Sequence, residues 1–350
     1  MGLADFGGWG DVLVHLTSRN DLSFAQATSV LDEVLSGSAT DAQIAGLLIA
    51  LKMKGETPEE VDGFVASLLR HAPEVQAPEG AVDIVGTGGD RSGSINVSTM
   101  ASFVVAGAGV PVVKHGNRAI SSSVGAADVL EGLGVEIELG PEGVEACLAE
   151  AGMGFCFAQR FHPAMRFVGA VRRELATPTI FNVLGPLANP AQPLRQLVGV
   201  ADPKRARVVA EVLARRGSVR SSIVFADDGM DEITLTGPTT ILELTHDGAS
   251  ATLNERRIDP RDLGFTLVGP EALRGGSLEV NVAAVRAVLD GAQGPHRDVV
   301  LLNASAALVD AGVTSSVEDG LEVAASSIDS GTAAAVLRRL VETSNAIGKS

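Results

Sequence analysis

The sequence predicts an α/β protein in which a small all-helical N-terminal domain precedes a larger α/β domain with a mostly parallel, mixed central sheet. Three observations carry this prediction. The first third of the chain contains three successive helix-start signals with no strand pattern between them. The middle alternates short apolar segments with amphipathic ones, and the last part is again helical in its periodicity. Such alternation is typical of a parallel sheet covered by helices.

Each helix-start signal in the first third is a Ser or Thr followed three residues later by Gln or Glu. The signals stand at Ser23, Thr40 and Thr57, and Pro58 occupies the first helical position after the third. This spacing lets the two side chains cap each other's backbone N–H groups. We therefore predict three capped helices within a helical domain that spans residues 1–75.

Short apolar segments in the remainder predict the strands, and the segments between them predict helices. The predicted strands are 82–85, 110–113, 135–139, 155–158, 197–200 and 222–226, with antiparallel additions at 233–235 and 240–246. The predicted helices are 126–132, 143–151 and 204–216, followed by a helical region from Ser277 to the end.

Composition narrows the classes of function. The chain has 350 residues, enough for one large or two ordinary domains, and a formal net charge of −16. A chain this acidic repels nucleic acids and anionic membranes. Any anion that it binds must therefore be held by local groups, such as a helix N-terminus, a glycine-rich loop, a single lysine or a metal ion. The two cysteines, Cys147 and Cys156, are not spaced as metal ligands or a redox pair. With no membrane-length apolar run and no secretory leader pattern, we expect a cytoplasmic protein without nucleic-acid or membrane partners.

A glycine-rich segment follows the first predicted strand and leads into a helix. It contains Gly86, Gly88 and Gly89, and Asn96 and Ser98 stand at the helix start. Glycines let backbone N–H groups approach an anion, and the helix N-terminus adds partial positive charge. Arg91 replaces the third glycine of a dinucleotide motif, and no Gly-Lys-Ser/Thr follows as in a Walker loop. The segment is either an anion-binding loop or a tight turn.

A second polar segment, 114–122, follows the strand predicted at 110–113. It combines Lys114 and Arg118 with an amide and two hydroxyls. Loops at this edge of an open α/β sheet gather ligands, and these groups suit a polyphosphate. The alternative is a solvated charged loop.

A third segment places four carboxylates, Asp227, Asp228, Asp231 and Glu232, after another predicted strand. Carboxylates beside a phosphate describe a magnesium site, but a solvated acidic turn is favoured when the segment is taken alone. Type I phosphoribosyltransferases carry a similar acidic stretch. Their Thr-Thr-Gly phosphate loop does not follow here, so that class is rejected.

A fourth segment contains His162 and Arg172, ten positions apart. Ten residues are close to three helical turns, so the two side chains are expected on one helix face. An arginine there can bind a small carboxylate in bidentate fashion. A structural histidine and a surface ion pair are the alternatives.

Taken together, these segments resemble the anthranilate phosphoribosyltransferases of tryptophan biosynthesis. The resemblance covers nearly the whole chain, and the order and spacing of its motifs are highly specific. The motifs stand at 52–57, 86–90, 96–99, 114–118, 171–175, 181–190, 231–232 and 301–304. The resemblance implies a class IV phosphoribosyltransferase-like fold, a homodimer, and a helical domain completed by residues 162–185. Residues 76–161 and 186–350 would then form the α/β domain.

The resemblance also implies the reaction, which is transfer of a 5-phosphoribosyl group from phosphoribosyl diphosphate to the amine of anthranilate. It implies Mg²⁺ as the cofactor, and it assigns no residue as a catalytic acid or base. It implies anthranilate contacts at Gly86, Asn117, His162 and Arg172, and magnesium ligands Ser98, Asp231 and Glu232. The residues implied to contact phosphoribosyl diphosphate are Gly86, Gly89, Asp90, Ser94, Asn96, Val97, Ser98, Thr99, Lys114, His115, Gly116, Asn117, Arg118, Ala119, Ile120, Ser121, Ser122 and Ala126.

The sequence departs from the family pattern at a few positions, among them Ser94 for Thr and Phe225-Ala226 for His-Gly. None removes a functional group that the reaction needs. Two alternative functions stay open. A pyrimidine nucleoside phosphorylase shares the architecture, although Asn117-Arg118 replaces its further glycines. A non-catalytic nucleic-acid-binding relative is opposed by the net charge.

Overall fold

The structure is a computed structural model that describes residues 2–119, 124–248 and 250–348. Fifteen α-helices lie within these residues. They are α1 (Gly8–Thr17), α2 (Phe24–Leu35), α3 (Asp41–Lys54), α4 (Pro58–Arg70), α5 (Val97–Gly107), α6 (Ala126–Gly132), α7 (Pro141–Ala151), α8 (Ala158–Phe161), α9 (Arg166–Leu175), α10 (Phe181–Leu187), α11 (Pro203–Arg215), α12 (Leu278–Leu289), α13 (Pro295–Ala311), α14 (Val317–Asp329) and α15 (Thr332–Gly348).

The three predicted capping boxes are confirmed. Ser23, Thr40 and Thr57 each accept a hydrogen bond from the backbone N–H three residues later, and the Gln or Glu there binds back to the cap. The helices therefore begin where the local sequence places them. The predicted helices at 126–132, 143–151 and 204–216 are confirmed as α6, α7 and α11, and the C-terminal region is helical as predicted.

Seven strands form one mixed sheet. They are β1 (Val82–Gly86), β2 (Val112–Gly116), β3 (Met153–Phe157), β4 (Arg195–Gly199), β5 (Arg220–Ala226), β6 (Thr239–His246) and β7 (Ala251–Ile258). Their order is β3-β2-β1-β4-β5-β6-β7, with the first five parallel and the last two antiparallel additions. The carboxyl ends of β1, β2, β4 and β5 consequently lie along one edge, where the predicted site residues gather.

Two strand predictions are wrong. Residues 135–139 form no strand, because Val135, Ile137 and Leu139 are buried against the C-terminal helices; the Glu136 N–H donates to Ser344 on α15. Residues 233–235 form no strand either; the Ile233 N–H instead donates to Asn303 Oδ1 on α13 over 2.9 Å. β7 was not predicted from the sequence, since its exposed, charged residues lack the apolar pattern of an inner strand.

Two buried clusters flank the sheet. The larger joins α5, α7 and the C-terminal helices to one side. The other joins α1–α4 to α9, α10, α11 and inward-facing residues of β4–β6. Residues after β3 thus share a core with the N-terminal helices. Within the described ranges, no helix has both the length and the apolar character needed to cross a lipid bilayer.

Candidate active site

The glycine-rich loop after β1 presents unpaired backbone N–H groups at the carboxyl edge of the sheet. Gly88 and Gly89 have φ values of 66° and 82°, and Arg91 has a φ of 59°, so the loop turns through left-handed conformations. The N–H of Gly88 donates to Asp231. The N–H groups of Gly89 and Asp90 donate to no described residue. Successive N–H groups in such a loop form an anion-binding concavity.

The loop is fastened on its far side by the segment that precedes α12. The Ile95 N–H donates to the Leu273 carbonyl over 3.0 Å, and the Gly275 N–H donates to the Gly93 carbonyl over 2.8 Å. Ser94 and Arg274 pair across this short antiparallel bridge. The Asn96 amide nitrogen donates to the Val124 carbonyl, whereas its buried oxygen has no donor among the described residues.

Asp231 and Glu232 turn inward at this edge. Asp231 Oδ2 accepts from the Gly88 N–H over 2.6 Å, and Glu232 Oε1 accepts from the Ser98 N–H at the start of α5 over 3.2 Å. Burial and the charge of Asp90 raise the pKa of Asp231 to about 6, and burial with the charge of Asp231 raises the pKa of Glu232. Two buried carboxylates without a paired cation are costly to ionise.

The other two acidic residues of this segment face elsewhere. Asp227 pairs with Arg257 on β7, and Asp228 accepts from the Met230 N–H and from the hydroxyls of Thr234 and Thr236. The four carboxylates that are close in the sequence therefore divide into two pairs. Asp227 and Asp228 belong to the turn, and Asp231 and Glu232 face the site.

Lys114 is a buried cation whose charge acts on Glu232. Its side chain is 1% exposed, and its ammonium donates to the Ile84 carbonyl and, over 3.2 Å, to Ser98 Oγ. Burial lowers the pKa of Lys114, and the charges of Asp83 and Glu232 oppose that shift. The Asp83 carboxylate accepts from the His115 N–H and from Asn189, and burial raises the pKa of Asp83 to about 6.

These residues fit a divalent cation. The two inward carboxylates and the Ser98 hydroxyl supply the hard oxygen ligands that Mg²⁺ prefers, and burial raises the pKa of both carboxyl groups. Ser98 is joined to this pair through its N–H, which donates to Glu232, while its hydroxyl accepts from Lys114. No group of three or more His, Cys, Asp or Glu arranged for a metal occurs among residues 2–119, 124–248 and 250–348.

The segment after β2 differs from a simple cationic loop. The Arg118 guanidinium contacts Asp128 over 3.0 Å and Glu131 over 2.7 Å, and it lies 5.5 Å from the centre of the Phe157 ring. Asn117 Oδ1 accepts from the Arg118 N–H and from Gln159, so its amide nitrogen is left for other partners. Ile120, Ser121 and Ser122 lie outside the described residues.

His115 and His162 form a buried edge-to-face pair, with ring centres 5.3 Å apart. His115 Nδ1 donates to the Gly185 carbonyl and His162 Nε2 donates to the Ala188 carbonyl, each over 2.9 Å. The other nitrogen of the His115 ring is an unprotonated acceptor with no donor among the described residues, whereas the Leu68 carbonyl also acts on the His162 imidazole and opposes the lowering of its pKa by burial. Burial and the neighbouring His162 lower the pKa of His115 to about 3, so its imidazole stays neutral.

Arg172 lies on α9 with its guanidinium 5.4 Å from the centre of the Phe181 ring. No carboxylate among the described residues lies within ion-pair distance of it, and burial lowers its pKa. His162 precedes a short 3-10 turn, and α9 begins only at Arg166. The prediction that both side chains share one helix face is therefore wrong, because the ten-residue spacing does not run along a single helix.

The structure also reveals contributors that sequence reasoning missed. One is Gly199, where a Cβ would lie 1.6 Å from the Asp231 carbonyl oxygen; at Gly86, which was named as a site residue from the sequence, a Cβ would lie 2.5 Å from Asp231 Oδ2. Asn189 connects Asp83 to the Val113 carbonyl. Asn189 stands in a motif that carried the resemblance, but no local signal marks Gly199.

Two family models cover most of the chain. The model described as glycosyl transferase family, helical bundle domain, matches residues 10–72, and the model described as glycosyl transferase family, a/b domain, matches residues 78–334.

Curated relatives and solved structures match the chain over nearly its full length. An anthranilate phosphoribosyltransferase of Rhodococcus jostii is 52% identical, covering 98% of this chain and 95% of the relative, and one of Thermomicrobium roseum is 51% identical, covering 97% and 98%. The crystal structure of the Thermus thermophilus enzyme superposes with a TM-score of 0.89 at 39% identity, covering 96% of this chain and 99% of that one. The Saccharomyces cerevisiae enzyme in complex with PRPP and Mg gives 0.86 at 26% identity, covering 96% and 98%. This chain belongs to the anthranilate phosphoribosyltransferase family.

Proposed function

We propose that this protein transfers the 5-phosphoribosyl group of phosphoribosyl diphosphate to the amine of anthranilate, giving N-(5-phosphoribosyl)anthranilate and diphosphate. The observation that carries this proposal is the Gly88–Asp231 hydrogen bond, which brings the inward carboxylates of Asp231 and Glu232 to the loop whose Gly89 and Asp90 N–H groups have no acceptor among the described residues. In the reaction, the bond from the anomeric carbon to diphosphate breaks, and a bond from that carbon to the amine nitrogen forms. The nitrogen then loses a proton to solvent.

The donor side of the site stabilises negative charge on the leaving diphosphate. The glycine-loop N–H groups and the N-terminus of α5 supply fixed dipoles, and the buried Lys114 ammonium supplies a point charge. Asn96 has a buried oxygen without a donor, which suits a ribose hydroxyl. An acidic protein can thus bind an anionic substrate without a basic surface. We propose the donor contacts named from the resemblance, of which residues 120–122 lie outside the described residues.

We propose that Ser98, Asp231 and Glu232 hold the magnesium ion. The Saccharomyces cerevisiae relative is described in complex with PRPP and Mg. When bound, the ion acts as a Lewis acid on the leaving group. The protein contributes the placement of the ligands, since Gly88 and Ser98 orient the two carboxylates through their N–H groups.

The acceptor side positions the amine and the carboxylate of anthranilate. Arg172 has no carboxylate partner among the described residues and lies against an aromatic ring, which suits a bidentate contact to a small aromatic acid. The His115 nitrogen that has no donor among the described residues can accept from an N–H group, and Asn117 offers its amide nitrogen. An aromatic amine is already neutral at pH 7, so these groups act by alignment and no general base is required.

We also propose the domain division implied by the resemblance, with residues 1–75 and 162–185 as the helical domain. The core shared by α1–α4, α9 and α10 supports it. A homodimer through this domain is supported by exposed apolar side chains on α1 and α3: Val14 is 65% exposed, Ile49 37% and Met53 69%. Sedimentation of Met53→Glu would show a monomer if this surface pairs two copies, and an unchanged mass would argue against it. A cytoplasmic location stays a prediction.

The alternative functions receive less support. The relatives named above are all described as anthranilate phosphoribosyltransferases, which favours this activity over a pyrimidine nucleoside phosphorylase. The net charge of −16 opposes nucleic-acid binding.

Anthranilate fluorescence provides the test. When the protein is incubated with anthranilate, phosphoribosyl diphosphate and Mg²⁺, we expect anthranilate fluorescence to decay with first-order kinetics. One diphosphate should be released for each anthranilate consumed. The control replaces the donor with ribose 1-phosphate and thymine, the substrates of a pyrimidine phosphorylase. Formation of 5-methyluridine in that control, without anthranilate consumption in the main assay, would reject the proposed function.

A further inference from the structure

Asp128 makes an unusual set of contacts for a residue in the first turn of a short helix. Its Oδ2 accepts from the Ala119 N–H over 3.1 Å and from the Gly125 N–H over 2.9 Å, and its Oδ1 accepts from Arg118 over 3.0 Å. Ala119 and Gly125 lie on opposite sides of residues 120–123 in the chain. A single carboxylate therefore joins both sides of the segment to the start of α6.

Close packing reinforces this connection. A Cβ on Gly125 would lie 2.4 Å from the Ala119 nitrogen and 2.7 Å from the Asn117 carbonyl oxygen, so Gly125 lies directly against that backbone. The Ala127 N–H donates to the same carbonyl over 3.2 Å. The start of α6 thus contacts Asn117, Arg118 and Ala119 through both hydrogen bonds and backbone contact.

Arg118 is already neutralised within this arrangement. Its guanidinium contacts Asp128, which is 23% exposed, and the more exposed Glu131. Burial alone would raise the pKa of Asp128, but hydrogen bonds from Gly125, Ala119 and Arg118 outweigh burial and lower it. The aspartate is therefore ionised at neutral pH. Its negative charge lies beside residues assigned to a polyanionic donor, where electrostatics alone would disfavour it.

We propose that Asp128 is a positioning residue for phosphoribosyl diphosphate, and that its carboxylate holds the backbone of Arg118 and Ala119 in the conformation that binds the donor. The inference rests on the proposed function. Arg118 then acts mainly as part of this anchor, and the cation proposed to act on the donor is the buried Lys114. Asp128 itself contacts no substrate.

A purely electrostatic role for Asp128 and a role as a backbone anchor predict opposite changes in donor affinity when the side chain is removed. If Asp128 acted only through its charge, removing it would strengthen binding of the anionic donor. If it acts as an anchor, removing it weakens binding, because the freed backbone must be ordered again when the donor binds. Asp128→Ala removes all three contacts. Asp128→Asn keeps an oxygen for the two N–H groups and loses only the arginine contact.

Glu131→Gln is the matched control. It removes the same charge one turn further along α6, from a residue that contacts the Arg118 side chain and makes no hydrogen bond to the backbone of Asn117, Arg118 or Ala119. Donor affinity is measured by titration calorimetry with phosphoribosyl diphosphate and Mg²⁺, without anthranilate, on each full-length protein. Circular dichroism and the thermal midpoint establish that each variant is folded.

We expect about tenfold weaker donor binding for Asp128→Ala, a loss of about threefold for Asp128→Asn, and binding no weaker than wild type for Glu131→Gln. Folded Asp128→Ala that binds the donor as tightly as wild type, or more tightly, would overturn the inference. Should that variant not fold, the same two outcomes for Asp128→Asn decide it. Wild-type protein that binds no donor would reject the proposed function, and this inference with it.

Discussion

Gly88 and Asp231, 143 positions apart in the chain, are joined by a 2.6 Å hydrogen bond from the backbone N–H of the glycine to Oδ2 of the aspartate. This bond connects the glycine-rich loop after β1 to the acidic turn after β5. The two parts of the proposed donor site are thereby held in one arrangement. Loop position and carboxylate position are consequently expected to change together when either is altered.

Gly199 tests that arrangement sterically. We expect Gly199→Ala to move the Asp231 backbone, since the new Cβ would lie 1.6 Å from its carbonyl oxygen. The free energy of unfolding should fall by about 2 kcal/mol or more, and turnover should fall with it. Chemical denaturation and the fluorescence assay measure the two effects. Gly237→Ala is the control, because a Cβ there meets nothing within 4 Å. Equal stability for both variants would contradict the packing described.

The acidic pair separates stability from activity. We expect Asp231→Asn with Glu232→Gln to lose magnesium-dependent turnover yet to fold at least as stably as wild type at pH 8. The amide oxygens can still accept from Gly88 and Ser98, and the unfavourable burial of two charges is gone. The thermal midpoint should rise by about 2–4 °C. Retained turnover in the double variant would refute the metal assignment.

Substitution of Arg172 should change KM for anthranilate and leave KM for phosphoribosyl diphosphate nearly unchanged. We expect Arg172→Ala to raise KM for anthranilate by at least about tenfold and KM for phosphoribosyl diphosphate by less than about twofold, since its guanidinium makes no ion pair within the protein that the structure describes. Arg173→Ala, on the exposed side of α9, serves as the control. Equal effects of Arg172→Ala on both constants would remove Arg172 from this role.

The buried carboxyl group of Asp310 is expected to make the stability of the folded protein depend on pH, independently of catalysis. Burial raises its pKa to about 7, although hydrogen bonds from Ser222 and the charge of Arg220 oppose the shift. The folded protein therefore holds a proton that the unfolded chain releases above its ordinary pKa of 3.8. The stability that this proton provides is complete below pH 3.8 and is lost as the pH rises through about 7.

Asp310→Asn should remove that dependence. Its thermal midpoint is expected to match wild type near pH 4 and to exceed it by a few degrees, about 2–4 °C, at pH 8. A constant difference for Asp310→Asn would show that Asp310 is ionised in the folded protein throughout this range.

Local signals in the sequence predicted the helices better than the sheet. A capping box such as Thr57 with Glu60 acts over three residues, and all three capping boxes were confirmed. Residues 135–139 have the apolar alternation of a strand, but the C-terminal helices bury that face instead. β7 pairs through its backbone at an edge, so its exposed charged side chains give no apolar signal.

In the candidate site, too, local motifs could be predicted from the sequence, whereas contacts that depend on the fold could not. The motifs at 86–90, 114–118 and 231–232 could be found in the sequence because each is short and chemically distinctive. The commitment of Arg118 to Asp128 and Glu131 could not, because it depends on how α6 returns to the segment before it. Gly199 was missed for a similar reason, since its importance comes from contact with a residue 32 positions later.

A crystal structure of the protein with phosphoribosyl diphosphate and Mg²⁺ tests the central claim most directly. We predict that the diphosphate contacts the N–H groups of Gly89 and Asp90, and that the Asp231 and Glu232 carboxylates hold a metal ion bound to it. A donor bound elsewhere, with the Asp231 carboxylate still occupied only by the Gly88 N–H, would contradict the account.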